Sequence, residues 1–114
     1  MLTEQKIEDL LDSLQIALKE ERLCADALIS ATATEGYIQA ATVIANPPIG
    51  KNAEERAREV AVLLTDDATA KSATSTRRGA QFGLDIAKAR VEIARVAIGL
   101  WKALAYQAAG HAGE

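Results

Sequence analysis

The stretch from residue 81 to residue 106 limits the possible folds of this chain most strongly, because its apolar residues alternate in steps of four and three. These positions are Phe82, Ile86, Ala89, Ile93, Val96, Leu100 and Ala103. A repeat of about 3.5 residues is the spacing of a coiled-coil seam, so the pattern predicts a long helix that packs against at least one other helix.

The same helix carries further apolar positions on other sides. They form two sets: Leu84, Val91, Ile98 and Ala105, and then Ala87, Ala94 and Trp101. The polar residues are confined to one narrow stripe, which consists of Gln81, Asp85, Lys88, Glu92, Arg95 and Lys102. A helix with so little polar surface must bury two or more sides, one against the first helix of its own chain and one against a further partner. A second copy of the protein is the simplest candidate for that partner.

Capping residues and helix breakers divide the rest of the chain. We predict helices over residues 4–45, 53–64 and 68–109, followed by a flexible tail at 110–114. Thr3 is the predicted N-cap of the first helix, and residues 47–50 (PPIG) end it. Asn52 followed by Glu55 is typical of a capping box for the second helix.

Two short segments affect the ends and the continuity of the long helices. Residues 65–67 (TDD) supply capping side chains and negative charge for the start of the third helix. Residues 30–36 (SATATEG) are poor helix formers. The first helix is therefore predicted either to run through this segment or to break there.

The length and composition of the chain favour one small helical domain. It has 114 residues and alanine is the commonest of them, which favours helix. Alanine side chains bury little area each, so three helices of this size form only a thin core. We predict an all-α fold in one domain (1–109): an antiparallel hairpin of two long helices with a short intervening helix, assembled as an oligomeric helical bundle.

The charge and the cysteine content bear on compartment and partners. The formal net charge is −3, and Cys24 is the single cysteine, which excludes an internal disulfide and fits a reducing compartment. Neither an export signal nor a membrane-spanning segment is indicated. We therefore expect a cytoplasmic protein that does not use a membrane as a partner.

The chain offers few residues suited to catalysis. His111 lies in a Gly- and Ala-rich tail without a second histidine or a cysteine nearby, so a metal site has no donor set. Adjacent carboxylates such as Glu54 and Glu55 diverge by about 100° on a helix and cannot act together on one substrate. We expect a protein that is not an enzyme and that holds neither a metal nor a cofactor.

A group of basic residues near the predicted turn of the hairpin is the candidate nucleic-acid site. Its members are Lys51, Arg56, Arg58, Lys71, Arg77 and Arg78. The alternative is that Arg56 and Arg58 pair with glutamates of the same segment, which leaves an ordinary charged surface.

A second candidate surface is the apolar side of the third helix, predicted as a core or oligomer seam. Its members are Phe82, Ile86, Ile93, Val96, Leu100 and Trp101. Trp101 is also suited to stacking on a base or anchoring a partner. Its seven-residue spacing from Ala94 favours a packed face instead.

In its second half the chain resembles small helical proteins of tailed phages, and among them the UvsY-type recombination mediators. The resemblance covers residues 51–105 and rests on KNAEER at 51–56 opening a short helix and VAVLLTDD at 60–67 leading into a long alanine-rich helix. It implies a non-enzymatic oligomer that binds single-stranded DNA and helps to load a recombinase in place of a single-strand-binding protein. Residues 37–46 contain no Lys or Arg, so any DNA contact would fall to the basic group.

Three hypotheses about function follow from these observations, and all three are non-catalytic. The protein is a phage-type accessory factor that binds single-stranded nucleic acid, an adaptor or inhibitor that binds a host or phage protein through a helical surface, or a structural assembly subunit. Oligonucleotide binding that weakens steeply with salt would separate the first hypothesis from the other two.

Overall fold

The computed structural model describes residues 4–112, with side chains described for residues 4–110. Within this range the chain forms three helices: α1 (Glu4–Ala45), α2 (Ala53–Asp66) and α3 (Ala68–Ala112). The two long helices pack against each other, which confirms the predicted all-α hairpin with a short intervening helix.

The ends of the helices lie close to the predicted ones. α1 begins and ends as predicted, α2 extends two residues beyond residue 64, and α3 continues through Gly110 to Ala112 instead of ending at residue 109. The predicted N-cap Thr3, the side chain of His111 and residues 113–114 of the predicted tail lie outside the described residues.

α1 runs without a break through residues 30–36, the segment in which sequence alone left a break open. Thr32 adapts to the helix because its Oγ1 donates to the Leu28 carbonyl oxygen at 2.7 Å. Glu35, in the same segment, is tied by its carboxylate to Arg77 of α3. A hydroxyl that bonds one turn back and a contact with the facing helix thus accompany the low helix propensity of this segment.

The start of α2 follows the predicted capping pattern with one change of partner. Asn52 has an extended backbone conformation, and its side-chain oxygen accepts from the Glu55 backbone N–H at 2.9 Å. The Glu55 carboxylate reaches back to the Lys51 N–H at 2.9 Å, one residue before the N-cap. Both interactions satisfy backbone donors that a helix start otherwise leaves unpaired.

Further along α2, Glu59 holds the loop that precedes the helix. Its Oε2 accepts from the Ile49 N–H at 2.9 Å and from the Gly50 N–H at 3.1 Å. The loop packs so closely here that a Cβ on Gly50 would lie 2.8 Å from the Glu55 Cβ. Glycine is therefore required at position 50 by close approach to α2.

Asp67 separates α2 from α3 as a single residue. Its N–H donates to the Leu63 carbonyl oxygen at 2.8 Å, which closes the last turn of α2. Its Oδ2 accepts from the Ala70 N–H at 2.9 Å, which makes it the N-cap of α3. One of the three predicted capping residues thus serves two helices.

The described chain divides into two units. The terminal unit consists of Met1–Cys24 and Gly83–Glu114, and the turn unit of Ala25–Phe82. In the terminal unit the buried side chains are Ala17 of α1 and, on α3, Leu84, Ala87 and Val91. In the turn unit they are Ala70 and Ala73, at the start of α3.

The face of α3 that packs inward is not the predicted seam. Leu84 and Val91 are buried, and Ala94, Ile98 and Trp101 are half-buried, so the second and third apolar sets form the interior. Members of the predicted seam are exposed: Phe82, Ile86, Ile93, Val96 and Leu100. The core alternative for these five residues is therefore wrong, and the oligomer alternative stays a prediction. The observed rotation of α3 lets the helices approach through alanines and brings Arg90 to Glu20, at 3.3 Å between Nη1 and Oε2.

Candidate functional surfaces

All six residues of the predicted basic group lie in the turn unit. Lys51 is in the loop before α2, Arg56 and Arg58 are in the first turns of α2, and the other three are in the first half of α3. The structure therefore places the whole group in one unit, but it does not leave every member available for a ligand.

Three of the six basic side chains already have partners. The Arg58 Nη2 lies 3.1 Å from the Glu54 Oε1, in an exposed pair one helical turn apart. The Arg56 Nη1 donates to the Gly50 carbonyl oxygen at 3.1 Å. The Arg77 Nε donates to the Glu35 Oε1 at 2.8 Å. The alternative that this segment pairs its own charges thus holds for Arg58, and Arg77 adds a pairing that the sequence did not indicate.

The ion pair between Glu35 and Arg77 has a different character from the exposed one. The Glu35 side chain keeps only 13% of its exposure and the Arg77 side chain 30%. The hydrogen bond from Arg77 lowers the pKa of Glu35 below its ordinary value of 4.5, partly offset by burial and assisted by a hydrogen bond with Thr74. Glu35 therefore stays charged, and Arg77 serves the contact between the helices.

Lys71 and Arg78 are the basic residues best placed to receive a ligand. They lie seven residues apart on α3 and line one cavity of about 480 Å³. The cavity is also lined by Gln39 of α1 and by Thr74 and Ser75, which lie between the two basic residues in the sequence. In the described range neither cation has a carboxylate partner within ion-pair distance. Two cations, hydroxyls and an amide form a suitable lining for a phosphate group.

The exposed apolar residues of the terminal unit form the second surface. We call Ile86, Ile93, Val96, Leu100 and Leu104 of α3 the outer stripe, and all five are exposed. Ile93 keeps 68% of its exposure and Leu100 keeps 62%. Their spacing of seven, three, four and four residues places them on one side of the helix. Because hydrophobic side chains are exposed along several turns, this surface is suited to contact with another protein.

The first helix extends the outer stripe at one point. Ile16 of α1 is exposed and lines a cavity of about 510 Å³ together with Ile93 and Ala97 of α3. The groove is bordered by the exposed Glu20–Arg90 pair. The sequence analysis did not single out Ile16, because only the pairing of the helices brings it beside Ile93.

A larger cavity of about 690 Å³ lies in the turn unit and was not predicted. Its lining consists mainly of small residues on α1 and α3: Ala27, Ser30, Ala31, Thr34, Ile38, Ala68, Thr69, Ser72, Ala73 and Thr76. The sequence signal was the run of alanine, serine and threonine in both helices, of which we interpreted only residues 30–36, as a segment of weak helix propensity. Short side chains leave open space between helices of ordinary separation.

Trp101 lies on the inner side of α3. It is half-buried, as expected for a packed face, and its indole Nε1 is buried without an acceptor among the described residues. In this position the indole ring is better placed to pack against neighbouring side chains than to stack on a nucleic-acid base.

The residues that the structure describes show neither a metal-binding cluster nor a membrane-spanning helix. They contain no cluster of three or more His, Cys, Asp or Glu side chains placed to hold a metal ion. No described helix combines the length and the apolar character that crossing a bilayer requires.

Comparison of the chain with protein-family models, with curated proteins and with solved structures found no match. The two surfaces must therefore be interpreted from their own chemistry.

Proposed function

We propose that this protein is a non-catalytic helical binding module, and that the exposed apolar side of its terminal unit is the surface that binds other protein. The observation that carries the proposal is the outer stripe. Large aliphatic side chains are exposed at successive turns of α3, while the side chains that stabilise the hairpin lie on another face. Large contiguous apolar patches are rare on the surface of monomeric proteins, and where they occur they commonly mark interaction sites.

The ion pair between Glu35 and Arg77 has a structural role within the chain. Among described groups, Glu35 has a clearly shifted pKa, and the shift is downward because Arg77 pairs with it. A carboxylate stabilised in its charged form by a structural partner is a poor general acid or base near neutral pH. The chemistry of this site therefore favours adhesion between helices over proton transfer.

The proposal is tested by capture with a matched pair of variants. Ile93 and Ile29 are both isoleucines in long helices and both keep 68% of their exposure, but Ile93 lies in the outer stripe and Ile29 lies outside it, on α1. Immobilised wild type and Ile29→Asp should retain the same proteins from a lysate of the source cells, and Ile93→Asp should lose them. Equal retention by all three would contradict a binding role for the stripe.

Binding of single-stranded nucleic acid is a second candidate function, favoured by the cavity that Lys71 and Arg78 share. The resemblance to UvsY-type mediators assigns such a site to the loading of a recombinase. With a net charge of −3, attraction to phosphate must be local. Repetition of the site across associated copies would strengthen it.

A fluorescence anisotropy titration with a labelled single-stranded oligonucleotide at two salt concentrations tests this candidate. Each phosphate contact on a single strand contributes about −0.7 to the slope of log affinity against log salt. The double variant Lys71→Gln/Arg78→Gln should therefore flatten the slope by roughly 1.4 per chain. Lys88→Gln/Arg95→Gln is the matched control, because it removes the same residue types at the same spacing from α3. Equal loss in both variants would indicate bulk charge and not a site.

A further inference from the structure

The outer stripe leaves large apolar side chains in solvent along several turns of α3. Each of its five residues keeps at least 38% of its exposure, and Ile93 keeps 68%. Such a surface is suited to burial against a partner.

The interior is correspondingly thin. Four of the six buried hydrophobic residues in the described range are alanines, and Leu84 and Val91 are the larger two. Burial of a large aliphatic side chain stabilises a fold much more than burial of alanine, because it removes more apolar surface from water. A hairpin with this interior gains stability if its outer stripe is covered as well.

From these observations we propose that the outer stripe is covered by the outer stripe of a second copy of this chain, so that two α3 helices pair in parallel and in register. This inference rests on the proposed binding role of the stripe and names its partner. The geometry requires a helix with apolar residues in alternating steps of three and four, and α3 itself has that pattern. In a parallel pair Ile86, Ile93 and Leu100 would each face their own counterpart.

The charges beside the stripe select the parallel orientation. Helical periodicity places Arg90 along one edge of the stripe, and Asp85 and Glu92 along the other. Opposite edges meet in a parallel pair, so the second copy's Arg90 lies beside Asp85, whereas like edges would meet in an antiparallel pair. Arg90 keeps a 63% exposed side chain while it contacts Glu20, and its guanidinium has donors for a second carboxylate.

Small residues along the stripe allow the two helices to approach each other. Ala89 lies between Ile86 and Ile93, and Gly99 lies at the edge of the stripe, seven residues after Glu92. Neither Ala89 nor Gly99 is buried in the hairpin. A Cβ at Gly99 would meet no atom of its own chain within 4 Å, so the surface there is open to a partner.

The first measurement is the molar mass by sedimentation equilibrium over micromolar concentrations. We expect wild type and Ile29→Asp to be twice the mass of the chain. Ile93→Asp should dissociate at least ten times more readily, with its helical circular dichroism retained, because Ile93 is 68% exposed in the hairpin. A wild-type protein that stays at the mass of one chain would overturn the pairing.

A second measurement does not depend on a disruptive variant. In a Cys24→Ser background, Ala89→Cys should form a disulfide between two copies under mild oxidation, because position 89 faces its counterpart only in the parallel register. Ala33→Cys, an exposed alanine on α1, is the matched control and should stay reduced. Absence of the Ala89→Cys disulfide, or equal cross-linking of both variants, would contradict the parallel pair.

These outcomes are separable from failure of the proposed function. A chain that is monomeric, but whose retention of other proteins is lost in Ile93→Asp, would overturn self-pairing and leave the binding role standing. A dimer that Ile93→Asp leaves unchanged, together with equal capture by all the variants, would overturn both.

Discussion

In the turn unit and in the terminal unit the same two long helices pack through different side chains. In the turn unit the buried residues Ala70 and Ala73 are accompanied by a half-buried ion pair between Glu35 and Arg77. In the terminal unit the interior contains Leu84 and Val91, and large apolar side chains remain outside. The turn unit thus satisfies its charged core groups within the chain. Both units expose large apolar side chains, such as Ile29 in the turn unit, but in the terminal unit they recur along several turns of one helix, where another molecule can cover them.

The two kinds of contact have different effects on the pairing of the helices. A half-buried ion pair contributes little net stability, but it fixes which residues of two helices face each other, because a shift would leave a charge unpaired. Apolar residues stabilise more but tolerate sliding. In this chain the half-buried ion pair lies in the turn unit, whose small buried side chains define the register of the helices poorly. The larger buried residues and the candidate interface lie in the terminal unit.

The largest expected effect distinguishes the two faces of α3 in the terminal unit. Val91→Asp places a carboxylate where only 2% of the residue is exposed, and burial of an unpaired charge should destabilise the hairpin by several kcal/mol. Ile93→Asp, two residues later, should keep the hairpin folded and lose only the stability that association adds. Thermal melts followed by circular dichroism test this contrast, and similar melting temperatures for the two variants would show that the inner face is assigned wrongly.

Local signals in the sequence were sufficient to predict the helices and most of their ends. Asn52 and Asp67 act on backbone groups within three residues, so their capping roles do not depend on the rest of the fold. The continuity of α1 was harder to predict, because residues 30–36 are weak on their own and Glu35 of that segment pairs with Arg77, 42 positions away.

The rotation of α3 could not be predicted from its own sequence. Two apolar sides satisfy the same periodicity, and the choice between them depends on contacts with α1, such as Glu20 with Arg90. The same limit applied to the basic group. Its six members look alike in sequence, but only a structure separates Arg77, which is held by Glu35, from Lys71 and Arg78, which line a shared cavity.

A smaller effect is expected at the ion pair of the turn unit. The pKa of Glu35 is lowered in the fold, so its contribution to stability is present above its ordinary value of 4.5 and is lost as the pH falls through the lower, folded value. Arg77→Gln should therefore lower the melting temperature at neutral pH and reduce the further loss on acidification below about pH 4.5. Melting temperatures between pH 7 and pH 3 provide the measurement. Wild-type and variant curves that run parallel would rule out this ion pair as a source of the acid sensitivity.

The smallest effect is expected at Arg58, which belonged to the same predicted basic group as Arg77. Its contact with Glu54 joins side chains that keep 73% and 82% of their exposure, one helical turn apart. Such pairs stabilise a helix by about 0.3–0.5 kcal/mol, since water screens the charges and both side chains lose freedom. The melting temperature of Arg58→Gln should therefore lie very close to that of wild type in physiological salt, and any remaining difference should shrink further at high salt. Because Arg58→Gln should hardly change stability, it is informative in the oligonucleotide titration. Any affinity that it loses would report on contact with the ligand and not on the fold. A melting temperature reduced as much as that of Arg77→Gln would instead mean that the exposed pair stabilises the turn unit as much as the half-buried one, and the distinction between the two arginines would fail.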